Sequence, residues 1–159
     1  MVGFSVGPAI VAGSIGTVAM TAVMMVGRSV GMTSLDIPLL IGGMFSREDD
    51  RARTLGMAAH IVMGAVVFGI GYGLLFTALD TASAGVGALI GLVHGAVLGI
   101  VVMPMMGMVH PRMRIATGEA RLEPPGVMGV AYGRGTPVGL LATHVVYGLV
   151  VGGIYAALI

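Results

Sequence analysis

Residues 83–109 read Ser83-Ala-Gly-Val-Gly87-Ala-Leu-Ile-Gly91-Leu-Val-His94-Gly95-Ala-Val-Leu-Gly99-Ile-Val-Val-Met103-Pro-Met-Met-Gly-Met-Val109. The stretch contains no Asp, Glu, Lys or Arg, and it exceeds the roughly 20 apolar residues a helix needs to cross a bilayer core. Ser83, Gly87, Gly91, Gly95 and Gly99 recur at every fourth position, which puts them on one helix face. Such a face lets a second helix approach to backbone contact, the extended form of GxxxG packing. The stretch therefore reads as a membrane-spanning helix with one close-packed side.

Three further stretches have the same character, so spans are expected over residues 2–27, 54–79, 83–109 and 138–159. The chain is 57% hydrophobic and 9% charged, with mean hydropathy +1.03. A soluble domain carries about 25% charged residues, so a water-facing surface cannot be built from this composition. The expected fold is all-α: a single transmembrane domain, 1–159, forming a four-transmembrane-helix bundle. Only Asp80, Thr81 and Ala82 join the second and third spans, which predicts a tight helical hairpin.

The other two connections, 28–53 and 110–137, carry all eight basic residues, every one an Arg. Arg28, Arg47, Arg51 and Arg53 lie in the first; Arg112, Arg114, Arg121 and Arg134 lie in the second. Positive charge favours the cytoplasmic side, so both loops are expected there, with both termini and the Asp80 turn outside. No basic segment precedes the first apolar run, which favours a permanent span over a cleaved signal peptide. The absence of Cys excludes disulfides, thiolate metal sites and cysteine nucleophiles.

Within the first loop, Asp36 ahead of Pro38 marks a helix start and Gly42-Gly43 a stop. That piece is too short to span and reads as a short interfacial helix, with a re-entrant piece as the alternative; irregular backbone at membrane depth must be sheltered by protein, which favours the former. Glu48, Asp49 and Asp50 suit the N-terminus of the second span. Residues 114–137, rich in Gly and Pro, read as ordered coil.

The chain also repeats internally. Ser5, Ala9, Gly13, Thr17 and Thr21 match Ser83, Gly87, Gly91, Gly95 and Gly99 at a constant offset, and Met25 matches Met103. His60-Ile-Val-Met-Gly64 with Gly69-Ile70 matches His144-Val-Val-Tyr-Gly148 with Gly153-Ile154. Two tandem two-helix units follow, related by an axis normal to the membrane as in parallel repeats, with the first and third spans meeting near that axis. The expected helix-packing positions are Gly13, Gly64, Gly87, Gly91, Gly95, Gly99 and Gly148.

Ionisable residues within spans are functional hypotheses by default. His60 and His144 hold equivalent repeat positions, His94 lies in mid-span and His110 ends the third span. All methionines except Met1 fall in the cytoplasmic halves of spans or in the Arg-bearing loops. Imidazole and thioether together suit Cu(I), so His60, His144, His110, Met103 and Met106 form a speculative copper set. The plainer reading is packing: Met fills gaps between Gly-rich helices, and neutral His can bond across helices. No nucleophile with a base, paired carboxylate or nucleotide loop is present. No catalytic residue and no activity of the chain alone are expected.

The runs Thr21-Ala-Val-Met-Met-Val-Gly-Arg-Ser-Val-Gly-Met32 with Asp36-Ile-Pro38, Leu92-Val-His-Gly95, and His110-Pro-Arg-Met113 resemble a group of small actinobacterial-type integral membrane proteins. Those proteins are uncharacterised, so the resemblance implies a four-span architecture in a bacterial plasma membrane and no activity. The primary expectation is a non-catalytic accessory subunit of a larger membrane complex, such as a respiratory or oxygenase complex. The alternative is an oligomeric transporter or channel component for a copper-like metal ion or small solute; a lipid-organising protein is a third option. Expected partners are lipid and other membrane subunits or copies of the chain, and nucleic acid is not among them.

Overall fold

The uncharged stretches become four long helices in a computed structural model that describes residues 1–114, 118, 119 and 121–159. Helix α1 is Val6–Ser29, α2 is Ile37–Gly42, α3 is Asp49–Ala78, α4 is Ala84–Val109 and α5 is Thr136–Leu158. Helices α1, α3, α4 and α5 are long and apolar enough to cross a membrane, and no strand occurs among the described residues. The fold is an all-helical membrane bundle. Its outward surface carries Val18, Leu89, Val67 and Leu149, which fits lipid contact.

Local chemistry explains the boundaries. Asp36 caps α2 by accepting from Leu39 N at 3.0 Å, and Pro38 occupies the first turn, where its missing N–H is harmless. Helix α3 begins at Asp49, earlier than the charge pattern placed its span, because the Glu48 carboxylate accepts from Asp50 N and Arg51 N at 3.0 Å each. Two of the long helices each contain a π turn: Met63–Phe68 in α3 and Leu98–Val102 in α4. The connection expected as coil includes residues 115–117 and 120, which lie outside the described residues. Beyond them, Val127–Tyr132 forms a short 3-10 stretch with Met128 and Gly129 at φ 56° and 71°.

The chain divides into two compact units. The first comprises Met1–Val26, Ile61–Gly95 and Leu141–Ile159. Its core is Ala9, Ala12, Met20, Tyr72, Phe76, Tyr147, Val151 and Tyr155. Glycine sets its helix spacing. A Cβ at Gly87 would overlap the Gly148 carbonyl oxygen, and one at Gly148 would overlap the Gly87 carbonyl oxygen. A Cβ at Gly91 would overlap the His144 carbonyl oxygen. The glycine face of α4 thus meets α5 within its own helix pair, not α1. The contact is reciprocal: Gly148 and Gly152 give α5 a matching bare face, and a Cβ at Gly152 would overlap the Ser83 carbonyl oxygen. On the other pair, a Cβ at Gly13 of α1 would lie 2.6 Å from Ala65 O of α3, and one at Gly69 would lie 2.7 Å from Ala9 O. Asp80 takes a positive φ of 49° in the turn after α3 and accepts from Val2 N at 2.6 Å.

The second unit comprises Gly27–His60 and Ala96–Leu140, with Leu35, Leu40, Met103, Met113 and Leu140 as its buried core. Helix α2 lies directly on α3, since a Cβ at Gly42 would overlap Ala52 O and one at Gly56 would overlap Pro38 O. Asp36 also binds Arg28 at 3.1 Å and Arg53 at 3.2 Å. Burial alone would raise the Asp36 carboxyl, but the Leu39 N–H, the Arg53 hydrogen bond and the two guanidinium charges hold it below the ordinary carboxylate value. Arg112, 1% exposed, donates from Nη2 to Asp49 Oδ1 at 2.6 Å.

Candidate functional site

The π turn of α3 and the glycine face of α4 together assemble a polar, aromatic cluster inside the first unit. π turns are rare and concentrate at functional sites. Here the Gly64 carbonyl accepts the backbone bond from Gly69 N and also accepts from Tyr147 Oη at 2.7 Å. Phe68 ends the π turn and lies against His94, with ring centroids 4.3 Å apart. Tyr72, one turn further on, places its hydroxyl 3.3 Å from His94 Nδ1.

His144 completes the group from α5. Gly95 has no side chain, so the His144 ring settles over it; a Cβ at Gly95 would lie 3.0 Å from His144 Cβ and 3.2 Å from its Cγ. The two imidazoles then meet edge to face with centroids 4.9 Å apart. Tyr147 closes the cluster, 5.2 Å from Tyr72 and 6.5 Å from His94. His94 Nε2 is buried and has no hydrogen-bond partner among the described residues. Buried polar atoms are nearly always partnered, which makes that nitrogen the open valence of the cluster. The arrangement offers two imidazoles and two phenols in an apolar setting, suited to holding a proton or a soft cation.

The residues read as a copper set fall in both units. His144 belongs to the first unit, while His60, His110, Met103 and Met106 belong to the second. Met103 is buried in the second core with Met106 packed against it. His110 is fully buried with both nitrogens engaged: Nδ1 accepts from Arg112 N at 3.2 Å and Nε2 stands 2.9 Å from Leu40 O. It therefore has no lone pair for a metal. Among the described residues no three His, Asp or Glu side chains form a metal-sized group. Of the glycines singled out, Gly87, Gly91, Gly95 and Gly148 line the α4–α5 contact. Gly13 and Gly64 line the α1–α3 contact, with Gly64 against the Thr17 side chain. Gly99 instead faces Met128 and Leu140 in the second unit. The pairing of His94 with His144 was not visible in the sequence; the one available signal was the bare Gly95 beside His94.

His110 has a pH consequence. Burial pushes its imidazole below the ordinary value of 6.5, and the Arg112 charge pushes the same way against the Leu40 carbonyl. The unfolded chain takes up this proton first as pH falls, so the stability His110 contributes is complete above about 6.5 and is lost below it. Thermal unfolding of the purified chain at pH 7.5 and 5.5 checks this. The wild type should lose more stability on acidification than His110→Gln; equal losses would show that His110 does not contribute.

No curated protein and no solved structure matches the chain. A family model does, over residues 5–159, and so covers all four long helices and the whole His94–His144 cluster. The chain belongs to the family of unknown function DUF6789.

Proposed function

We propose that the chain is a non-catalytic accessory subunit of a larger assembly in the plasma membrane, with its Arg-bearing loops in the cytoplasm and its Asp80 turn outside. The observation that carries this reading is a set of glycines that internal packing does not use. Gly7 on α1, Gly71 on α3 and Gly85 on α4 have no atom within 4 Å of where a Cβ would stand. Glycine within a helix is unfavourable by roughly 0.5–1 kcal/mol relative to Ala, and Gly71 lies well inside α3. In lipid, bare helix positions are where another helix approaches. The close-packed glycines of α4 are consumed within the chain, so the open ones are those left for a partner helix.

The natural absence of Cys permits a direct test. Gly71→Cys carrying a photo-crosslinker should form an adduct with a different membrane polypeptide in native membranes. Leu89→Cys, at an outward position 66% exposed, should capture lipid only. Equal capture at both positions, or adducts only between copies of the chain, would overturn the reading. A second reading, a homo-oligomeric pathway for a metal ion or small solute, draws on the paired imidazoles of α4 and α5.

A further inference from the structure

We propose that His94 and His144 form a binding site for one Cu(I) ion inside the first unit, a property independent of whether the chain serves as an accessory subunit. The His94 ring has one nitrogen beside a hydroxyl and the other open. In the tautomer in which Nδ1–H donates to Tyr72 Oη, at 3.3 Å, the lone pair stands on Nε2, the buried nitrogen without a partner. An outer hydrogen bond that sets tautomer and ring direction is the usual companion of a metal-bound imidazole. His144 brings a second imidazole to a centroid distance of 4.9 Å. Two imidazoles in line on one two-coordinate ion, each bonded at about 2.0 Å, have centroids about 6 Å apart, so binding requires the rings to turn and to part by about 1 Å.

The surroundings select the ion. Across the first unit the only Asp or Glu is Asp80, in the turn. The desolvation cost of an ion grows with the square of its charge and must be met by compensating charge, so a monovalent ion is favoured over a divalent one. Mg2+ and Ca2+ need several oxygen ligands, and Zn2+ takes four ligands in structural sites. Cu(I) is content with two imidazoles, and the faces of Phe68 and Tyr147 beside them favour a weakly hydrated cation. Methionine, the other soft donor, is not required.

The test uses the full chain in lipid nanodiscs, kept anaerobic with ascorbate, and Cu(I) in competition with a chromophoric Cu(I) chelator. One Cu(I) per chain is expected, with an X-ray absorption spectrum showing imidazole scattering and no sulfur. His94→Phe and His144→Phe should each weaken binding by about 100-fold or more. Tyr72→Phe, which keeps both imidazoles and removes only the orienting hydroxyl, should weaken it by about tenfold. Met103→Leu should leave the affinity unchanged. If the histidine variants fail to fold, the wild-type spectrum and the Tyr72→Phe affinity still decide. No copper held against the chelator, sulfur in the coordination shell, or wild-type affinity after loss of either imidazole would each overturn the proposal.

Discussion

Gly91→Leu is expected to force α4 from α5 and destabilise the first unit by more than about 3 kcal/mol, beyond the usual range for an overpacked core. The added Cβ alone would overlap the His144 carbonyl oxygen and lie 2.9 Å from its carbonyl carbon and 3.2 Å from Val145 Cα. These are backbone atoms of a helix, which cannot swing aside as the end of a side chain can. The reciprocal overlap at Gly87 and Gly148 leaves no freedom to slide one helix along the other. Gly71→Ala is the control: nothing lies near its Cβ, and Ala in place of Gly should stabilise the helix by up to about 1 kcal/mol. Thermal unfolding followed by circular dichroism separates the two. Gly91→Leu should melt roughly 6–12 °C lower, and Gly71→Ala at or slightly above wild type. A Gly91→Leu protein melting with the wild type would show that α4 and α5 do not pack on bare backbone.

The second large effect is expected at the Arg112–Asp49 pair, and it is asymmetric. Arg112 is 1% exposed, whereas the Asp49 side chain is 49% exposed. Removing the carboxylate in Asp49→Ala takes a hydrogen-bonded counter-charge away from a buried guanidinium. Loss of one partner from a buried, hydrogen-bonded charge pair costs about 2–5 kcal/mol. Arg112→Met removes the buried charge itself, keeps most of the side-chain volume and leaves Asp49 to water, so it should cost less, in line with the tolerance of apolar replacements for buried ion pairs. Denaturation of both variants checks the order; Arg112→Met proving the more damaging would mean that the guanidinium holds the second unit through contacts other than Asp49.

Much of the fold was legible because the relevant signals are local. Four long uncharged stretches can hardly form anything but helices in lipid, and Asp36 with Pro38 marks the start of α2 by chemistry confined to one turn. Gly42 was legible only in part. Its glycine reads as a helix stop, yet in the structure it lets α2 rest on the Ala52 carbonyl of α3. What escaped the sequence depends on register between distant segments. The period of the α4 glycines identifies a bare face but not which helix covers it; the matching Gly148 and Gly152 decide that. The charge pattern treats all eight arginines alike, whereas Arg112 is buried on Asp49 and Arg28 and Arg53 share Asp36. The π turn at Met63–Phe68 has no sequence period of its own, and it helps bring Phe68 onto His94. For the same reason the copper set read from composition gathered residues by depth, while side-chain contact pairs His144 with His94.

The open glycines make native mass spectrometry of the tagged chain, released from its own membranes, the most direct measurement. The expected result is the chain bound to at least one different membrane polypeptide, with that association lost in Gly71→Leu while the variant chain keeps its wild-type melting temperature. The chain alone, copies of the chain only, or a partner held equally well by Gly71→Leu would contradict an accessory role built on that helix face.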